Sequence, residues 1–257
     1  MNAQCGCACM ARCCSRACGC DDKPRVSASV LGVRGSITHV AAGPGSDTAA
    51  SLAVAASVES YALDGTTHGS MMFALGGGSA GLEGALAGTI DVGYRIDVTP
   101  KHGPFGRIGF DGRLQGNDLL FFSLLELPRL TLGWQYLDGK TVLEGGARGG
   151  AIITGRYKPG EEGRRSLSRS LEWGGFVAAQ HDFLRLDLSA MRIEARGTLN
   201  ETPVLVARAQ VCGLASRVGV CLDATMLKGD ADMGPAAGGI REATSTFVGL
   251  TFGVAAW

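Results

Sequence analysis

Hydrophobic side chains recur at every second residue over unusually long runs, and this alternation limits the possible folds more than any other feature of the chain. In "VLEGGARGGAIITGRY" (142–157), Leu143, Ala147, Ala151, Ile153 and Tyr157 occupy one parity, and Glu144, Arg148 and Arg156 occupy the other. Successive strand side chains point to opposite faces, so the three charges share one side of a sheet. In "TIDVGYRIDV", Asp91, Arg95 and Asp97 oppose Ile90, Val92, Tyr94, Ile96 and Val98; in "GRIGFDGRL", Arg107, Asp111 and Arg113 oppose Ile108, Phe110 and Leu114. Later runs place Glu172, Arg185 with Asp187, Arg208 and Asp223 on the polar face. Repetition over so many segments predicts an all-β chain.

Turn residues divide the alternating runs. Asp138-Gly139 is a two-residue hairpin signal, since a type I′ turn needs positive φ at both central positions. Centring a hairpin there sets Gly133 opposite Glu144, Gln135 opposite Val142 and Arg129 opposite Arg148, the last an unfavourable like-charge pair. A turn at His181-Asp182 sets Ala178 opposite Arg185 and Phe176 opposite Asp187, and one at Ser216-Arg217 sets Cys212 opposite Cys221 on the same face. Longer polar connections at 158–166, 197–203 and 229–239 alternate with these tight turns. Earlier breaks separate five more candidates, giving an antiparallel up-and-down meander of about twelve strands. Pro128, inside "LLELPRL", marks a bulge where the face parity changes.

Alternation alone fits a water-facing sandwich with its charges outward or a membrane barrel with its charges inward. Soluble strands have a mode of about 5 to 6 residues, whereas a tilted membrane strand needs about 9 to 11; the runs 140–157, 166–180, 183–196 and 241–257 are longer. Glycine is abundant at 40 residues, without a collagen period and beside a hydrophobic fraction of 46%. An apolar face that mixes glycine and alanine with bulky residues fills a sandwich core badly, while lipid adapts to it. No window reaches the about 18 apolar residues of a membrane-spanning helix. The 24 basic and 24 acidic residues cancel, and no nucleic-acid partner follows from the charge.

With its alternating segments and a last run "STFVGLTFGVAAW" that closes on Trp257, the chain resembles a bacterial outer-membrane β-barrel. The resemblance covers roughly residues 26–257 and rests on pattern, without a residue motif. It implies a barrel of transmembrane type whose partners are outer-membrane lipid and the barrel-assembly machinery, which in this family reads a carboxy-terminal aromatic; small solutes are possible cargo. Val248, Leu250, Phe252 and Val254 share one parity and Trp257 the other, so the match at the end requires a register shift. The implied lumen is lined by Asp91, Arg95, Asp97, Arg107, Asp111, Arg113, Arg129, Glu144, Arg148, Arg156, Glu172, Arg185, Asp187, Arg208 and Asp223. No cofactor is implied. The competing class is a soluble or periplasmic β protein with the alternation inverted, binding an apolar ligand or a protein.

Residues 1–25 form a separate cysteine-rich segment, expected to be unstructured. Cys5, Cys7, Cys9, Cys13, Cys14, Cys18 and Cys20 have a thiolate-rich spacing that resembles metallothioneins, but no downstream histidine ligands complete a defined zinc site. Arg12 and Arg16 interrupt any apolar core of a secretory signal, so an outer-membrane destination requires an atypical leader or another start. Cys212 and Cys221, directly opposed across a hairpin, lie close enough for a cross-strand disulfide, which would imply an oxidising compartment. His68 and Ser70, two apart in "THGSMM" and so on one face, are the pair that a lipid-hydrolase reading needs; no third partner can be placed, and no reaction is named by any motif.

Overall fold

The computed structural model describes residues 25–42, 45–62, 67–116, 121–139, 141–157, 166–181, 184–194, 203–215, 217–232 and 240–256. Their strands are β1 (Arg25–Ala42), β2 (Gly45–Ala62), β3 (Thr67–Gly78), β4 (Gly81–Arg95), β5 (His102–Gly116), β6 (Phe121–Asp138), β7 (Thr141–Tyr157), β8 (Ser166–His181), β9 (Leu184–Glu194), β10 (Val204–Ala215), β11 (Val218–Asp232) and β12 (Ile240–Ala256). Each pairs antiparallel with its sequence neighbours, and β1 pairs with β12, so the sheet closes on itself as an up-and-down barrel. With no free edge, every strand finds its backbone partners within the sheet, which a bilayer demands. Strand lengths of 11 to 18 residues suffice to span one.

The alternation sorts apolar from charged residues by face. Leu31, Leu52, Ile90, Leu132, Phe252 and Val254 are all more than half exposed on the outer wall, whereas Arg34, Asp91, Asp111, Glu126, Arg129 and Glu172 are each at most 3% exposed. A soluble β protein would need the opposite arrangement. The core is therefore the barrel interior, with two apolar patches inside it. One joins Ile152, Met191, Ile193, Val204, Val206, Leu227 and Phe247 near the end where β9 runs into β10; the other joins Ala53, Ala55, Ala74 and Ala85 on β2 to β4.

Two hairpin registers differ from the sequence expectation by two residues. Asp138 pairs with Thr141, and Gly139, at φ 60°, is the first residue between them. Gln135 then faces Glu144, Gly133 faces Gly146, Thr131 faces Arg148 and Arg129 faces Gly150, so the two arginines are diagonal neighbours and not directly opposed. Likewise Gln180 faces Arg185, Ala178 faces Asp187 and Phe176 faces Ser189, with 182–183 as the connection. A shift of two leaves every side chain on its expected face, so hydrophobicity does not select between these registers. The third hairpin pairs Ala215 with Val218 and Cys212 with Cys221, as expected from a turn at 216–217. Near Pro128 the register slips between Glu126 and Arg129 on both neighbouring ladders. Leu127 and Pro128 are both exposed, while the even-numbered Glu126 and odd-numbered Arg129 both point inward. This is the bulge that the proline marks. Long connections at the β9–β10 end are confined to the later strands; β1–β2 and β3–β4 join there through 43–44 and 79–80 alone.

Candidate functional site: a charged belt across the barrel interior

Arg129 of β6 lies between Asp91 of β4 and Asp111 of β5. It donates from Nε to Asp91 at 3.2 Å and from Nη1 to Asp111 at 2.8 Å, and its Nη2 also pairs with Asp91. Thr89 adds a hydroxyl to Asp111 at 3.2 Å, and Arg113 on the same strand reaches it at 3.3 Å. On β3, His68 has Nε2 3.3 Å from Glu59 and Nδ1 3.7 Å from Asp91, with Arg185 3.2 Å from Nε2. Arg185 of β9 pairs with both Asp187, at 2.9 Å, and Glu59 of β2. Arg107 pairs with Glu144, which also accepts from Gln135 at 2.6 Å. Arg34 holds Asp223 through a bidentate contact whose second arm is 2.8 Å. Isolated buried charges are costly, and mutual pairing is the condition on which such a belt persists.

The contact between Arg185 and Glu59 sets the geometry. Strands β2 and β9 have four strands between them one way round the barrel and six the other. A circular twelve-stranded barrel at ordinary spacing and tilt is about 24 Å across. An arginine and a glutamate end to end fall well short of that, so the section is flattened along this direction and the pair bridges opposite walls. Among the described residues, a cavity of about 140 Å³ remains beside the bridge, lined in part by Ser70, Arg113, Arg148, Arg208 and Phe176.

The expected interior residues fall into three groups. Asp91, Arg107, Asp111, Arg129, Glu144, Arg185, Asp187 and Asp223 form the paired belt, with Arg113 at its edge and Arg95 bonded to Gln135 at 3.3 Å. Arg148 lies over the Phe176 ring at 4.7 Å, while Glu172 and Arg208 are buried beside the belt. Asp97 is a correction: it lies past the end of β4, its side chain 62% exposed, held by Arg95. Arg156 sits on β7 opposite Phe122 and Ser166, but its side chain lies outside the described residues, as do Cys5, Cys7, Cys9, Cys13, Cys14, Cys18, Cys20 and Trp257. Cys212 and Cys221 are joined in a disulfide. Sequence reasoning missed Arg34, Glu59, Glu83 and Glu126. Arg34 had a usable signal, since Leu31, Val33 and Ile37 alternate against it; Glu59 and Glu83 sit among alanine, glycine and serine where alternation is faint, and Glu126 is on the opposite parity until the bulge is counted.

Glu126 and Glu172 lean together across Gly150, and their four oxygens have no hydrogen-bond partner. Both are next to Ile152 at the margin of the apolar patch. At the opposite rim, outside the spanning segments, Lys101 bonds Asp138 at 2.9 Å, which holds that carboxyl below its ordinary value and raises the lysine.

No protein-family model and no curated protein matches the chain. Solved structures of similar shape include the translocator domain of the autotransporter NalP from Neisseria meningitidis, 12% identical with TM-score 0.39 over 92% of this chain and 91% of that one. The Pseudomonas putida toluene transporter TodX is 8% identical, TM-score 0.31, over 88% of each chain. An anion-selective porin from Comamonas acidovorans is 10% identical, TM-score 0.33, over 90% of this chain and 99% of that one. At these values the likeness lends nothing to a choice of role or solute. The resemblance to outer-membrane barrels holds in the fold itself: twelve antiparallel strands in neighbour order, closed, with the apolar face outward.

Proposed function

We propose that the chain is a bacterial outer-membrane β-barrel serving as a structural barrel or restrictive pore, with a narrow charged lumen obstructed at the belt. The observation that carries this reading is the bridge from Arg185 to Glu59 inside a barrel whose outer wall is apolar. A water-facing protein has no use for an outer wall of leucine, isoleucine and valine, and exposed apolar area on that scale marks contact with another apolar phase. The Cys212–Cys221 disulfide fits a destination outside the reducing cytoplasm. Partners follow from the same reading: outer-membrane lipid around the wall, the barrel-assembly machinery acting on β12, and small solutes within. The lipid-hydrolase reading has little support, because both ring nitrogens of His68 face carboxylates, whereas a general base needs one turned to its nucleophile.

Fractionation tests the location. The full chain should leave membranes only with detergent and should migrate faster on a cold detergent gel unheated than boiled. A monodisperse protein in detergent-free buffer defeats the reading. In planar bilayers the wild type should conduct weakly, far below an open porin.

A further inference from the structure

We propose that the interior cavity is a binding site for a small oxyanion, phosphate or a carboxylate solute, held by Arg148 and Arg208. This deepens the barrel reading above and rests on it, since it assigns a ligand class to the interior of that barrel.

Every described carboxylate that lines the cavity already has a base. Glu59 and Asp187 have Arg185, Asp91 and Asp111 have Arg129, Glu144 has Arg107, and Asp223 has Arg34. Arg148 and Arg208 line the same cavity, and the belt leaves both without an oxygen. Arg148 stacks on Phe176 and its buried Nε donates to nothing; Arg208 is 9% exposed, and its Nε and Nη2 are buried without a partner. Unmet donors on a buried cation carry a large desolvation cost.

Like charges add to the cost. Arg148 is close enough to Arg129, and Arg208 to Arg113, for the pairs to repel, and all four guanidiniums surround Asp111. Asp111 is shared among them, and Arg129, which Asp91 also holds, already takes one of its oxygens at 2.8 Å. An anion in the cavity gives Arg148 and Arg208 charge-assisted hydrogen bonds and screens both repulsions. At about 140 Å³ the space equals several waters, each about 30 Å³ in the liquid, and admits a tetrahedral oxyanion or a short carboxylate. Glu126 and Glu172, whose carboxylate oxygens also lack hydrogen-bond partners, do not line the cavity; Glu126 packs against Gly150, and Glu172 is opposite Gly150 on the β7–β8 ladder. Glu172 and Glu126 are still within electrostatic reach of Arg208, as is Asp111, and of the two unpartnered carboxylates Glu172 is the stronger internal competitor for it.

The test uses the full chain folded in detergent micelles, with inorganic phosphate as the probe in isothermal titration. Wild type should bind phosphate saturably. Arg148→Gln and Arg208→Gln should each weaken binding about tenfold or more, the loss expected of one charge-assisted contact, and the outward Arg192→Gln should leave it unchanged. Folding of each variant is checked by the gel shift between unheated and boiled samples. Absence of saturable binding by wild type overturns the proposal, since water alone then satisfies the donors. Binding that appears only in Glu172→Gln overturns it too, because Arg208 then has Glu172 as its native partner. The measurement does not depend on conduction: binding without conductance removes the pore and keeps the site, and conductance without binding does the reverse.

Discussion

Glycines in this barrel divide by the face they occupy. On inward positions a side chain has nowhere to go: a Cβ on Gly146 would lie 2.1 Å from the carbonyl oxygen of Leu132, one on Gly174 2.1 Å from that of Ala190, and one on Gly249 2.0 Å from the guanidinium of Arg34. Most outward positions have more room, Gly112 and Gly149 excepted, and a Cβ on Gly35 or Gly84 meets nothing within 4 Å. Bending a sheet into a tight, flattened tube brings inward Cβ atoms of neighbouring strands together and spreads outward ones apart. Alanine substitution should separate the two classes. Gly146→Ala and Gly174→Ala should destabilise by about 1 to 3 kcal/mol, the usual cost of overpacking, while Gly35→Ala and Gly84→Ala should stay within about 0.5 kcal/mol. Urea unfolding in micelles measures both, and equal losses in the two classes would refute curvature as the cause.

Among the elements, β6 depends on a single extra residue. Its bulge turns both Glu126 and Arg129 inward although they differ in parity, and Arg129 is the centre of the belt. Deleting Leu127 sets Glu126 and Arg129 two apart, so a regular strand still turns both inward, whereas deleting Leu130 leaves them three apart with no residue to spare and turns Arg129 to lipid, at about 2 to 4 kcal/mol at the bilayer midplane. The Leu127 deletion should therefore keep the gel shift of the folded barrel and the Leu130 deletion should lose it; loss in both would show that the bulge itself is required, beyond the facing of the two charges. The hairpin of β10 and β11 is tied by Cys212 and Cys221, so Cys212→Ser should lower stability by about 2 to 3 kcal/mol, the loop-closure value for so short a crosslink. A urea midpoint identical with and without reductant would contradict this.

These elements also show what could be read beforehand. The faces of β4, β5 and β7 to β11 were legible because charge and bulk alternate strongly there, and the bulge was legible because proline cannot continue a ladder. Two-residue register was not, since a shift of two preserves each face and the turn alone decides it. Nor was the partner of any charge. Glu59 and Arg185 are 126 residues apart, and only the closure of β1 on β12 brings their strands onto facing walls.

At the scale of the whole molecule, a chain with no net charge buries its charges in one interior and leaves lipid an apolar wall. Such a barrel obstructs itself, because the side chains that must neutralise one another meet across the space that a solute would use. The bridge from Glu59 to Arg185 is the part of this obstruction that spans the lumen, and removing both of its charges tests it. Removing Arg185 alone leaves the carboxylates of both Glu59 and Asp187 without their arginine, a loss of about 3 to 5 kcal/mol that confuses obstruction with unfolding. The double variant Glu59→Gln, Arg185→Gln keeps the length of residue 59, shortens residue 185, leaves only the partly exposed Asp187 without its arginine, and removes the attraction that holds the two walls together. Its single-channel conductance in planar bilayers should exceed that of wild type several-fold, with the gel shift of the folded barrel retained. Conductance equal to wild type in a folded double variant would mean that the apolar cluster around Ile152 and Phe247, rather than the ionic bridge, closes the barrel.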